Sequence, residues 1–382
     1  MKCILSLFIL LSGFCITASA QQTTNIDNAL LLDYYQNQRF TDAYNYLKAT
    51  YPEPVTEIKA LSNLAYTAQM SGKLADAETY YQRVYDKDSS NVATLFSLGS
   101  INVSRGNNLK AINYYKKILL RDSTNFNVYK QLANLSQNVA DTANYSKYLQ
   151  KANAINPQEP DVAYDLDLLY VAFKKYDKAA SVLDKAIQAD TANLLLQKGK
   201  AQVTFLLKKY PETISVCMKL IQAGDKQAAI VNWLGISYFN LKQYKQCIAA
   251  FQLSAGNMQY EATFYYIGMS YKALKDQVNA ITFLQKAITD GISPNINNYY
   301  SEIADSYEQL HFPKNALTAY QKSLQFKENP LIYYLLGNLY DSELKNRKNA
   351  LRYYKKFLAA KPDEKQQTYV EYSKSRIAAL NH

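Results

Sequence analysis

Apolar residues run through this chain in two registers. In windows of about a dozen residues they recur every three to four positions, the spacing of one face of an α-helix. On a longer scale a small side chain returns every 34 positions: Ala43, Ala77, Ala111, then the bulky Tyr145, then Ala179, Thr213 and Cys247. Ala280, Ala316 and Ala350 follow at slightly altered spacing. The segment from Val92 to Asn125 shows the unit: an apolar run VATLFSLGSINVSR, the break Gly106-Asn107-Asn108, a second run LKAINYYKKILL, and the polar break RDSTN. The breaks are turn formers, so each unit predicts a helix-turn-helix pair. One such pair cannot bury its apolar faces alone, and the repetition predicts an all-α fold, an α-solenoid of about ten stacked pairs.

The columns of the repeat have steric purposes. The first helix carries a slot held by Leu31, Ala65, Gly99, Ala133, Asp167, Ala201, Gly235, Gly268, Ala304 and Gly337. A small residue there, facing the small residue of the second helix, lets two backbones approach closely. The second helix offers a large slot: Leu47, Tyr81, Tyr115, Leu149, Leu183, Cys217, Phe251, Leu284, Tyr320 and Tyr354. An aromatic often opens the second helix, as in Phe40, Tyr176, Tyr210, Tyr244 and Phe312. Tyr145 and Asp167 break the small columns and predict looser or differently angled packing, and residues 290–295 lengthen one break.

These columns and the period resemble the tetratricopeptide repeat. VNWLGISYFNLKQYKQCIAAFQLS from Val231 and YYLLGNLYDSELKNRKNALRYYKKFLAAKP from Tyr333 carry the pattern most fully. The resemblance covers about residues 24–363, as units beginning near 24, 58, 92, 126, 160, 194, 228, 261, 297 and 330. It implies a right-handed superhelical solenoid that binds other proteins and is not an enzyme. Residues 364–382 read as a polar capping helix, acidic at its start (Glu364, after Asp363) and basic later (Lys374, Arg376), in agreement with the helix dipole.

The chain's start changes the setting. Met1-Lys2, an apolar stretch from Cys3 to Thr17 and the ending Ala18-Ser19-Ala20 have the form of a signal peptide, with cleavage expected after Ala20. The alternative is a retained anchor, although the run is shorter than the roughly 20 residues of a spanning helix. The mature protein is then expected to be exported, periplasmic or secreted, in a bacterial cell. Two cysteines fall after the signal, Cys217 and Cys247, in slots that suit a small apolar residue, and the sequence leaves their pairing open. Net charge is +11, but the basic residues are spread along the chain and form no stripe of the kind nucleic acid needs. Peripheral attraction to an anionic membrane surface stays open, and the pattern sets no oligomeric state.

Candidate chemistry is sparse. His311 and His382 are the two histidines, without H-x-x-x-H, C-x-x-C, G-x-S-x-G or phosphate-loop companions, so no catalytic, cofactor or metal site is expected. In such stacks the first helices line the concave face. There Lys130 and Asn134 resemble the opening pair of the clamp with which some family members grip a C-terminal carboxylate. The next units offer Asp165, Leu195 and Gly199 in place of its partners, so tail recognition of that type is not expected. Further along, Leu168, Val171, Phe205, Asn232, Ile236, Phe239, Asn240, Tyr265 and Met269 form an apolar and aromatic stripe flanked by amides. Such a stripe would seat an extended peptide or a partner helix. The same side chains also read as filling between adjacent first helices. The leading expectation is an envelope interaction scaffold. A carbohydrate-binding or uptake accessory protein using the same aromatics, and an outer-membrane assembly factor, are the alternatives. Glu302, Asp305 and Glu308 mark an acidic patch beyond the stripe.

Overall fold

The computed structural model describes residues 26–253, 261–290 and 294–381, and among them all regular structure is helical. The signal-like segment lies outside the described residues, as does part of the lengthened break, 291–293.

The chain forms two compact units, one ending at Ile155 and the other beginning at Asn156. In the first, α1 (Asn28–Gln36) pairs with α2 (Phe40–Thr50), α3 (Ile58–Met70) with α4 (Leu74–Lys87), α5 (Val92–Ser104) with α6 (Asn108–Leu119) and α7 (Phe126–Asn138) with α8 (Thr142–Ile155). In the second, the pairs are α9 (Pro160–Ala172) with α10 (Tyr176–Ala189), α11 (Leu194–Leu206) with α12 (Tyr210–Gln222), α13 (Ala228–Asn240) with α14 (Tyr244–Gln252), α15 (Glu261–Ala273) with α16 (Gln277–Asp290), α17 (Ile296–Gln309) with α18 (Pro313–Phe326) and α19 (Pro330–Ser342) with α20 (Arg347–Ala359). A short 3-10 turn (Glu364–Gln366) leads into α21 (Gln367–Asn381). Within each unit a helix packs on its pair partner and on its neighbours in sequence, which makes each unit an all-α solenoid.

Local chemistry starts and stops these helices. Several first helices begin at an asparagine whose side-chain oxygen accepts from the first turn: Asn91 from the Thr94 N–H at 2.9 Å, Asn125 from Val128 at 3.1 Å. Each first helix ends in a residue of left-handed backbone, at one column: Gln38, Gly72, Gly106, Ala140, Lys174, Lys208, Lys242, Lys275, His311 and Lys345. At Lys208 the φ is 58°, and the next N–H, of Lys209, reaches back to the carbonyl of Thr204 at 2.9 Å, closing the helix end.

The small columns are the contact points. Ala43, Ala77, Ala111, Ala179, Thr213, Cys247, Ala280, Ala316 and Ala350 have no solvent exposure, whereas Tyr145 is half-buried. Gly99 faces Tyr115 so closely that a Cβ would lie 2.6 Å from a ring carbon, and Gly337 stands likewise at 2.7 Å from Tyr354. In α9 the slot holds Asp167, and the packing closes over it completely. Space for its carboxyl comes from Gly199 on α11. Neither oxygen of Asp167 has a hydrogen-bond partner, and burial pushes the acid up to about 7.

Cys217 and Cys247 are free thiols in separate apolar clusters, raised by burial to about 12 and about 11. Asn102, which begins an N-x-S triplet, is buried, and its amide donates to the Leu98 carbonyl and to Glu78. At the far end, α21 lies against the last pair: Tyr369 meets Tyr334 with ring centroids 4.6 Å apart, and Arg376 grips Asp341 through two nitrogens at 2.7 and 2.9 Å.

Candidate functional site

The first helices α9, α11, α13 and α15 lie side by side in the second unit. Their helical period places all nine stripe residues on one row, each at least partly open to solvent. They are not equally free. Leu168 is 41% exposed and Asn240 is exposed as well. Val171 packs at the edge of the cluster around Leu183 and Leu196. The Phe205 ring meets Tyr210 edge-on at 6.5 Å. Phe239 is held more firmly, its ring between Tyr244 at 5.7 Å and Tyr266 at 5.1 Å, with Ile236 beside it against the cluster of Val231, Phe251 and Ile267. Met269 and Tyr265 lean on the core around Leu284 and Ile303.

The amides are tied to the scaffold. Asn232 accepts from the Thr263 hydroxyl at 3.5 Å, and the Asn240 side chain donates to the Ile236 carbonyl at 2.8 Å. The Tyr265 ring meets that of Tyr299 at 5.0 Å with the planes tilted by 31°, the Tyr299 hydroxyl donates to Glu261, and these three residues with Tyr266 and Asn298 line a cavity of about 540 Å³. Trp233 packs with Cys217, Leu220 and Leu234.

The acidic patch of α17 is not the open surface its sequence suggested. Lys272 on α15 pairs with Glu302 and, at 2.7 Å, with Asp305. Burial alone would lower the Lys272 ammonium, but the two carboxylates hold it above its ordinary value. Glu308 accepts from the buried Tyr320 hydroxyl. The pairing joins neighbouring repeats, so a scan along one helix misses it. Comparing the last turn of each first helix with the middle of the next would have found it.

His311 occupies the left-handed turn position, φ 60°. Among the described residues no three His, Cys, Asp or Glu side chains gather where they could hold a metal ion, and no helix is long and apolar enough to cross a membrane.

Comparison with known proteins agrees with this geometry. Three segments, residues 63–126, 262–290 and 331–364, match family models of the tetratricopeptide repeat. A stretch of 88 residues is 30% identical to the Hsp70-Hsp90 organising protein of Plasmodium falciparum, and the match spans 21% of this chain and only 16% of that protein. Among solved structures the chain is similar to a tetratricopeptide repeat protein of Parabacteroides merdae, with 18% identity and a TM-score of 0.41 over 65% of this chain and 98% of the other. It is also similar to the C-terminal part of a repeat-containing protein of Cytophaga hutchinsonii, with 17% identity and a TM-score of 0.46 over 72% and 98%. The matched segments fall in both units and carry the same columns as the pairs between them: residues 63–126, 262–290 and 331–364 are tetratricopeptide repeats.

Proposed function

We infer that this protein is a scaffold that binds a partner protein in the bacterial cell envelope, seating an extended peptide or a partner helix along the first-helix face of α9, α11, α13 and α15. Tetratricopeptide-repeat proteins mediate protein–protein interaction and are typically not catalysts. The observation that carries the finer reading is the row from Leu168 to Met269. Partly exposed apolar and aromatic side chains there stand beside Asn232 and Asn240 on helices whose other faces are locked in the core, so the surface is formed before anything binds. Export rests on the Met1–Ala20 segment.

The experiment pairs crosslinking pull-down from the native envelope with thermal unfolding, for Leu168→Asp and Tyr265→Ala. Loss of partners in Leu168→Asp with an unchanged melting temperature supports the reading. Retention of every partner by both variants sinks it.

One observation favours a second reading. The cavity at Tyr265 sets three tyrosine rings beside Asn298 and Glu261, groups that stack on and hydrogen-bond to sugars. Glycan-array binding lost in Tyr265→Ala, without any protein partner, would favour it.

A further inference from the structure

The groove between second helices of neighbouring repeats has a column of its own. Three residues after the small slot stand Tyr46, Tyr80, Tyr114, Tyr148, Val182, Val216, Ala250, Phe283, Ala319 and Tyr353. Tyr114 shows what the column's tyrosine does. Its ring is buried between α4 and α6, and its hydroxyl donates to the Gln82 side-chain oxygen at 3.0 Å. The Lys117 ammonium stands 5.6 Å from the ring centroid.

The ninth repeat keeps both partners and lacks the ring. Gln285 on α16 occupies the column of Gln82, and Lys322 on α18 that of Lys117, but between them stands Ala319. The truncation leaves a cavity of about 290 Å³ with Ile303 and Ala319 as its apolar floor. Tyr300 and Tyr307 of α17 wall it, and Lys322 stands 5.4 Å over the Tyr300 ring. A second ammonium, Lys314, replaces the leucine found at this column in α6, Leu109, and no carboxylate is among the described residues that line the cavity.

We propose that this cavity is a docking slot for a tyrosine side chain presented by an acidic segment of a partner protein. The chain itself seats a tyrosine in the equivalent groove, with the hydroxyl on the same amide. In the ninth repeat the ring must come from outside, and aromatic walls suit its edges. An aromatic anchor in a pocket is the usual energetic centre of a protein interface. The two lysines at the rim select carboxylates flanking that anchor. This slot is on the second-helix side and does not depend on the row from Leu168 to Met269.

The test is isothermal titration of the full chain with the capped peptide Asp-Glu-Tyr-Glu-Asp. Saturable binding with a Kd of about 1 mM or tighter is expected. It should weaken at least about tenfold when alanine replaces the tyrosine, when lysines replace the acids, and in the variant Ala319→Tyr, whose own ring fills the slot. Ala319→Tyr should keep its fold, because five other repeats carry tyrosine at this column. If it does not fold, Gln285→Leu takes its place, with binding weakened several-fold and helix content unchanged. The proposal is overturned by no saturation below about 10 mM. It is equally overturned by equal binding of the alanine or lysine-flanked peptide, or by undiminished binding to Ala319→Tyr or, in its place, Gln285→Leu.

Discussion

Oδ2 of Asp167 lies 2.8 Å from where a Cβ at residue 199 would stand, so the buried acid and Gly199 are complementary partners across α9 and α11. The site is closed on its other side by Leu183, 3.2 Å from the same point. Gly199→Ala gains about 1 kcal/mol of helix propensity but overpacks the contact by about 1–3 kcal/mol. The variant is therefore expected to be neutral or less stable than the native chain. With Asp167→Ala in place the propensity gain should emerge, for a coupling of about 1–2 kcal/mol in a double-mutant cycle of urea midpoints. Additive effects would show that the two residues do not share the space.

Asp167 also sets a pH dependence. Its acid is raised to about 7, against about 3.9 in an unfolded chain, and the sole cause is burial. Below about pH 4 the group is neutral in both states and exacts no ionisation penalty. As pH rises the unfolded state ionises first, so stability falls until about pH 7 and is level above it. Each tenfold difference in acidity between the two states is worth about 1.4 kcal/mol, so the total is a few kcal/mol. Asp167→Ala, which installs the column's ordinary occupant, should flatten the slope between pH 5 and 8 in urea titrations. A variant with the native slope would place the dependence elsewhere.

The helix pairs were legible in the sequence because the small residue at each crossing is demanded by a contact within one repeat, as between Gly99 and Tyr115. What depended on the next repeat was not. The fit of Asp167 to Gly199, the pairing of Lys272 with Glu302 and Asp305, and the clamping of Phe239 by Tyr266 all join side chains from consecutive repeats. The row from Leu168 to Met269 could be placed on a helix face, but its depth is set by neighbouring helices. The left-handed column stayed hidden for another reason: glycine marks it at Gly72 and Gly106, whereas lysine occupies it at 174, 208, 242, 275 and 345.

That column yields a stabilising substitution. Lys208 holds φ 58°, a conformation that costs a residue with a Cβ about 1–2 kcal/mol and glycine almost nothing. The side chain is exposed, so little packing is lost. Lys208→Gly should raise stability by about 0.5–1 kcal/mol after the extra chain entropy of glycine is subtracted. A lowered urea midpoint would contradict the assignment of strain.

Phe239 and Leu168 should separate on stability even though they share a helix row. Phe239→Ala removes a ring wedged between Tyr244 and Tyr266 and is expected to cost about 2–3 kcal/mol, below the full core value because the ring is half-buried. Leu168→Ser acts at an exposed side chain and should change stability by less than about 0.5 kcal/mol. Equal thermal shifts in the two variants would mean that Leu168 is packing rather than surface.

Asp341 behaves oppositely to Asp167 because its charge is wanted. The Arg376 guanidinium, aided by the Tyr354 hydroxyl, holds its carboxyl below the usual range, and the side chain is only 9% exposed. An acid lowered on folding adds stability above its unfolded value near 3.9, and that stability is lost as pH falls through the lowered one. Because Arg376 is partly solvated, Asp341→Asn should cost about 1–2 kcal/mol at pH 7 rather than the full value of a buried pair. It should also loosen α21, seen as faster amide exchange across Gln367–Asn381. As pH falls through the lowered value the native and Asp341→Asn chains should converge in urea midpoint, since protonation removes the charge. The Asp167→Ala gap also closes in acid, but from the other side, with the variant above the native chain at neutral pH. If the Asp341→Asn gap did not narrow at all down to the acid end of the titration, the loss would come from altered packing of α21 and not from the ion pair.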